Sequence, residues 1–302
     1  MPIVANLGLV GAQPFTGQTK ALKGSRNSTY MPSPIGRGCE RARPLGPHYN
    51  PRCTWHAEYS LGTIVLLGDS NASMYTLPVI KAGNSLDYDV TVDGASSCPP
   101  VGLRLVRIDG EEYECPGFGT KSIDFMVKSK PSLVVLVARS DFYLQNPDDG
   151  FAVVGKGGFT FSNAGKAELY RQAMHGVLKR LSRAGVPVLV VHPAPVLPVD
   201  PGTCAIVRAL TGTCSASLSR VSVHNWLRLA IQTENRAASG FETVTVLNFE
   251  NRLCGKKRCS KVKNGISLYR DSRHLSVDGA YMLMPEFEKV FEASAIEREP
   301  IF

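Results

Sequence analysis

The chain has 302 residues, 43% of them hydrophobic, with a mean hydropathy of −0.05. That length can bury a sizeable core in one large α/β domain or two small ones. Its net charge of +8 and pI near 9.1 raise nucleic acid as a partner, but no helix-turn-helix, zinc-finger or RNP-like motif accompanies the charge, and that class is set aside.

Residues 1–60 are rich in Gly, Pro, Ser and Arg with little periodicity. They are expected to be an N-terminal extension or linker packed on a catalytic domain of residues 61–302. The first 25 residues lack the charged n-region and long apolar stretch of a signal peptide. No run of about 18 apolar residues is present to span a bilayer.

From residue 61 the texture changes. "TIVLLG" (63–68) is the first apolar run, and "SLVVLVAR" (132–139), "VPVLVVHP" (186–193) and "TVTVLNF" (243–249) follow it. Unbroken Val/Leu runs fit strands buried on both faces, as in a parallel sheet. The Gly-rich stretch 145–165 between the second run and the next helix reads as a surface loop. "KAELYRQAMHGVLKRLSRAG" (166–185) predicts a helix with Leu169, Ala173, Val177, Leu178 and Leu181 on one face and Gly185 as its stop. Two further helices are predicted over 217–238 and 276–294, with Pro285 in the second marking a first turn. Strands alternating with helices give an α/β fold, a three-layer α/β/α sandwich with a mostly parallel sheet.

Eight cysteines fall in four close pairs: Cys39 and Cys53, Cys98 and Cys115, Cys204 and Cys214, Cys254 and Cys259. An even count in loop-like sequence points to disulfides and an oxidising compartment. Sequence does not fix connectivity, and pairing between sequence neighbours is the expectation. No C-x2-C pair supports zinc instead, so no metal is expected. Disulfides without an export signal imply a fragment of a longer, membrane-attached parent.

The chemistry starts in "TIVLLGDSNASMY" (63–75), where an apolar strand stops at Gly68 and Ser70 follows at once. Ligands in open α/β sheets collect at the carboxyl ends of the strands. A serine there exposes its hydroxyl, and its own N–H and the helix N-terminus favour a developing negative charge. The plainer reading is that Ser70 only caps the helix. Of six histidines, His274 in "LYRDSRHLSVDGAYML" stands out, because Asp271 lies three residues earlier and the pair can meet on one turn of chain. The densest basic run, "CGKKRCSKVK" (254–263), is a solvated loop or, alternatively, a docking site for an acidic glycan or an anionic membrane surface.

"GDSN" and "DSRHLS" together resemble the first and last blocks of the SGNH (GDSL-like) hydrolases, a flavodoxin-like fold. "VLLGDSNASMY", "SSCPP", "LVVLVARSDFY" and "LYRDSRHLSVDGAYML" are more closely similar to the extracytoplasmic SGNH domain fused to acyltransferase-3 membrane proteins, over roughly residues 35–295. The resemblance implies Ser70 as nucleophile, His274 as general base and Asp271 as its partner. It also implies an oxyanion hole of Ser70 N–H and Gly94 N–H. Arg139, in "ARSDFY", is the candidate where the family's asparagine is missing. Asn71 stands where the fused acyltransferases often carry histidine, and it is expected beside the substrate with Lys256, Lys257 and Arg258.

The implied function is an O-acyltransferase, above all an O-acetyltransferase, acting on hydroxyls of a bacterial cell-surface glycan. The alternative is a carbohydrate esterase with the same triad, and a catalytically silent glycan-binding module is the reading from another class. The implied partners are the glycan acceptor and a fused acyltransferase-3 membrane domain. No cofactor beyond the acyl donor is implied, and the implied location is the periplasm or the outer face of the cytoplasmic membrane.

Overall fold

The computed structural model describes residues 37–40, 43–107, 110–112, 115, 117–145, 152–155, 158–196, 217–264 and 266–296. In chain order the strands are β1 (Thr54–Trp55), β2 (Thr63–Gly68), β3 (Asp89–Gly94), β4 (Arg104–Val106), β5 (Leu133–Val137), β6 (Ala152–Gly155), β7 (Gly158–Thr160), β8 (Val188–Val191), β9 (Ser217–Ser219), β10 (Val244–Leu247), β11 (Arg258–Ser260), β12 (Val262–Lys263) and β13 (Ile266–Ser267). The helices are α1 (Ser70–Met74), α2 (Thr76–Asn84), α3 (Phe118–Ser129), α4 (Ser140–Gln145), α5 (Asn163–Arg183), α6 (Arg220–Ala238), α7 (Glu250–Leu253), α8 (Val277–Tyr281) and α9 (Met284–Ile296).

The central sheet runs β1-β3-β2-β5-β8-β10. All its neighbours are parallel except β1, which pairs antiparallel with β3 through Thr54↔Thr91 and Trp55↔Val90. The Val/Leu runs become strands because the sheet is covered on both faces. On one face Val65, Leu67, Val134, Leu136, Val188 and Val190 pack against Phe118, Ile123, Met126, Tyr170, Leu178 and Ala230 of α3, α5 and α6. On the other, Ile64, Leu66, Val135, Val137, Leu189 and Val191 meet Val79, Ile80, Phe287 and Phe291 of α2 and α9. This is the expected three-layer α/β/α sandwich. The five parallel strands taken in chain order lie 2-1-3-4-5 across the sheet, and the order reverses between β2 and β5. In open sheets of this kind that reversal point, at the carboxyl ends of the strands, is where ligands bind.

Three expectations need revision. β3 is a core strand that the sequence reading did not identify, because "DVTVDG" carries charge where the other runs are apolar. The stretch 145–165 is not all loop: β6 and β7 form a hairpin that pairs with β4, and α5 already begins at Asn163 behind a Ser162 cap. The buried stripe of α5 is Ala167, Tyr170, Met174, Val177, Leu178 and Leu181, rotated from the expected face so that Leu169 and Ala173 lie at its margin. Gly185 stops that helix with a φ of 73°, a left-handed turn that favours glycine. Pro285 sits in the first turn of α9, as expected.

Disulfides join Cys39–Cys53, Cys98–Cys115 and Cys254–Cys259, each to its sequence neighbour. Cys204 and Cys214 lie outside the described residues. The first two bonds close loops of 14 and 17 residues, each worth about 3 kcal/mol in the chain-entropy account. The first also ties the segment before β1 to the sheet, where Gly94 N–H donates to Cys39 O at 2.9 Å.

Candidate active site

β2 ends at Gly68 because nothing larger fits: a Cβ there would lie 1.9 Å from Val137 O. The close approach draws the ends of β2 and β5 together and turns the chain sharply into α1. Asp69, not Ser70, caps that helix, its Oδ1 accepting from Asn71 N–H at 2.8 Å. The plainer reading of Ser70 as a cap therefore fails, and Ser70 opens the helix with its hydroxyl free for other work.

Asp69 does more than cap. Only 1% exposed, it accepts through Oδ2 from Arg139 N–H and from Tyr143 Oη, both at 2.7 Å. It thus fastens the turn bearing Ser70 to the start of α4, at the point where the strand order reverses. Burial pushes its carboxyl above the ordinary range, and the three donated hydrogen bonds oppose that rise.

Ser70 Oγ lies 2.9 Å from His274 Nε2, and His274 Nδ1 lies 2.8 Å from Asp271 Oδ2. The three residues are 204 positions apart at the extremes, brought together because the segment before α8 folds back over the end of β2. Asp271 Oδ1 accepts the backbone N–H groups of Arg273 and His274, each at 2.7 Å, which makes the segment 271–274 a tight turn. Burial raises the Asp271 carboxyl, but its hydrogen bond and charge contact with His274 and the two backbone donors outweigh that and hold it at about 2. It is an anion at any ordinary pH and orients the imidazole with Nδ1 as donor. That leaves Nε2 to accept from Ser70.

Histidine–carboxylate pairs recur in this protein, so the pair alone does not mark a site. His56 meets Asp89, His192 meets Glu234 at 2.6 Å, and His224 meets Glu250. His192 and Glu234 are 3% and 1% exposed, shut inside the sandwich. Among the described residues His274 is the one histidine that also reaches a serine hydroxyl.

The remaining expected residues fare unevenly. Gly94 pairs with Gly68 beside the nucleophile, but its N–H is already given to Cys39 O, so it has no donor left for an oxyanion. Asn71 follows Ser70 directly and is 2% exposed, and its buried Nδ2 has no hydrogen-bond partner among the described residues. Lys256, Lys257 and Arg258 lie in the hairpin closed by Cys254–Cys259; Arg258 donates to Ser217 Oγ and O, and none of the three is hydrogen-bonded or ion-paired to the triad. Arg139 stays in play. Its side chain is 12% exposed, its Cζ sits 4.8 Å over the Phe142 ring, and Nε has no hydrogen-bond partner, with Asp141 Oδ1 3.8 Å away. Arg273, next to His274, approaches the same ring at 5.8 Å. Sequence reading missed Asp69 and Tyr143, because residues that act through buried hydrogen bonds, Tyr143 donating and Asp69 accepting, leave no spacing signal; the Asp inside "GDSN" was the one clue.

Among the described residues no group of three or more His, Cys, Asp or Glu is placed to hold a metal ion.

The geometry can be set beside known proteins. Residues 38–289 match the family model described as "SGNH domain (fused to AT3 domains)". Among solved structures, the periplasmic domain of a lipopolysaccharide acetyltransferase from Salmonella ser. Paratyphi A aligns with a TM-score of 0.60 at 14% identity, covering 91% of this chain and 99% of that one. An acetylxylan esterase from Geobacillus stearothermophilus aligns with a TM-score of 0.45 at 12% identity, covering 77% of this chain and 95% of that one. No curated protein sequence matches the chain. The family match spans most of the chain, including the turn after β2 and the Asp271–His274 segment, and the chain therefore belongs to the SGNH domain family fused to AT3 domains, serine-type enzymes of the SGNH fold.

Proposed function

We propose that this chain carries out two-step acyl transfer to a hydroxyl of a cell-surface glycan. The observation that carries the reading is the unbroken chain Ser70 Oγ, His274 Nε2, His274 Nδ1, Asp271 Oδ2 at the carboxyl end of β2. Ser70 Oγ attacks the carbonyl carbon of an acyl donor while His274 Nε2 takes its proton. The carbon–leaving-group bond breaks, the leaving oxygen takes that proton from His274, and an acyl-serine ester remains. An acceptor hydroxyl then gives its proton to His274 and attacks the same carbon, and the bond to Ser70 Oγ breaks as Oγ takes that proton back from His274. Asp271 stays ionised and steadies the imidazolium in both steps. The oxyanion meets Ser70 N–H, which has no intrahelical acceptor at the first position of α1. Arg139 is the nearby cation for the same charge.

The family's description as fused to AT3 domains supports an acyl donor supplied from a membrane domain, and the Salmonella neighbour is named as a lipopolysaccharide acetyltransferase. The three disulfides support a place outside the cytoplasm. Acetyl is the acyl group we assign, and the whole reaction runs on the triad with no cofactor beyond the donor.

The test gives the chain 4-nitrophenyl acetate with and without a neutral or acidic oligosaccharide and follows both acetate release and sugar acetylation. Ser70-dependent acetyl-sugar is the expected product. Acetate alone, unaffected by any sugar offered, would assign the same triad to hydrolysis.

A further inference from the structure

A concave site apart from the triad lies beside the end of β3, in the part of the chain before β1. It is a cavity of about 610 Å3, within the range of small-ligand sites. Its walls carry Arg37, Arg43, Arg52 and His48, against one acidic side chain, Asp93. Among the described residues none of the three arginines makes an ion pair. Three guanidinium groups around one hollow repel each other, and such an arrangement is relieved by an anion between them.

The wall is also built rather than loose. Arg37 Nη1 donates to Arg52 O at 3.1 Å, and its Cζ lies 4.6 Å over the Trp55 ring. Asn50 bridges the same two residues, donating from Nδ2 to Arg37 O and accepting at Oδ1 from Arg52 N–H. Cys39–Cys53 closes the loop behind them. Asp93 does not cancel the charge: it is 1% exposed and accepts from Tyr49 Oη and Ser122 Oγ. Burial pushes it up to about 8, so at neutral pH it is mostly uncharged. The cavity is joined to the nucleophile through the backbone. Cys39 O accepts from Gly94 N–H, and Gly94 pairs with Gly68, two residues before Ser70.

We propose that this arginine-walled cavity is an acceptor subsite for an anionic saccharide, whose carboxylate or phosphate is held by Arg37, Arg43 and Arg52. The subsite holds one sugar of a chain while another presents its hydroxyl at Ser70. This rests on the acyl-transfer reading for its purpose, but its binding is measured separately.

Calorimetric titration of the whole chain tests it, with trigalacturonate and glucose 6-phosphate as the carboxylate and phosphate probes. Maltotriose is the neutral control and inorganic phosphate the free-anion control. The partner is the double variant Arg43→Gln/Arg52→Gln, in which both exposed side chains lose charge while the backbone bond to Arg37 stays. At least one anionic sugar should bind saturably, weaken about tenfold or more in the double variant and weaken with added salt. Maltotriose should not bind, and Ser70-dependent 4-nitrophenyl acetate turnover should be unchanged in the double variant. Binding of neither anionic sugar, or equal affinity in wild type and variant, overturns the subsite. Inorganic phosphate binding alone overturns the saccharide assignment. Ester turnover that survives Ser70→Ala overturns the acyl-transfer reading and leaves the binding result standing.

Discussion

Asp69→Asn tests the fastening of the nucleophile turn. In the wild-type protein both carboxyl oxygens accept: Oδ1 takes Asn71 N–H, and Oδ2 takes Arg139 N–H and Tyr143 Oη–H. An amide has one acceptor oxygen and one donor group. Turned either way, it puts an NH2 against a backbone N–H that also donates, and at 1% exposure no water can intervene freely. One unsatisfied buried donor costs about 1–3 kcal/mol, which for a chain of this size lowers Tm by roughly 2–6 °C. The loosened turn also moves Ser70 relative to His274, and a misplacement of about 1 Å costs on the order of 10²-fold in rate. Tyr143→Phe removes one donor and leaves the carboxylate two others, so it should cost about 1 kcal/mol and a smaller share of activity. Differential scanning fluorimetry and 4-nitrophenyl acetate turnover read both effects. A wild-type Tm together with wild-type turnover in Asp69→Asn would refute the reasoning.

Other expectations concern the two carboxyls with displaced titrations. Asp271, held at about 2 against an ordinary 3.8, contributes stability that is present above about pH 4 and lost as pH falls through about 2. Asp271→Asn lacks that contribution, so the Tm values of variant and wild type should converge on acidification. Its turnover should fall by about 10³–10⁴, because an amide no longer fixes the imidazole tautomer. Asp93 runs the other way. Its carboxyl is raised to about 8, so its contribution is fully present below about pH 4 and is lost as pH rises through 8. Asp93→Asn should therefore gain Tm relative to wild type between pH 5 and pH 9, and a constant difference across that range would count against a neutral Asp93.

The parts of the fold that were legible in sequence were those whose burial is symmetric. "VLL", "VVLV" and "VLVV" are apolar at every position because helices cover both faces of β2, β5 and β8. β3 escaped notice because it lies near the sheet's edge and carries Asp93, paired with Tyr49 and Ser122, in place of an apolar side chain. The β6–β7 hairpin hid in Gly-rich sequence, since a two-stranded ribbon leaning on β4 needs turns more than a core. Ser70, His274 and Asp271 were legible because their chemistry demands those residue types and two of them sit within one turn of chain. Gly94 could not be judged the same way. Its role depended on where its N–H points, and Cys39 O, 55 residues earlier, decides that. The basic loop at 256–258, a solvated loop or a docking site, was legible as a continuous run of charge, whereas the arginines at 37, 43 and 52 gather only when the Cys39–Cys53 loop folds against β3.

The most direct measurement on the central claim is to quench the chain at acid pH during turnover of 4-nitrophenyl acetate and map acyl groups by peptide mass spectrometry. A covalent acetyl on Ser70, absent in Ser70→Ala and in His274→Ala, is the predicted result. Full turnover with no acyl group on Ser70, or an acetyl on Ser70 that forms just as fast in His274→Ala, would contradict it.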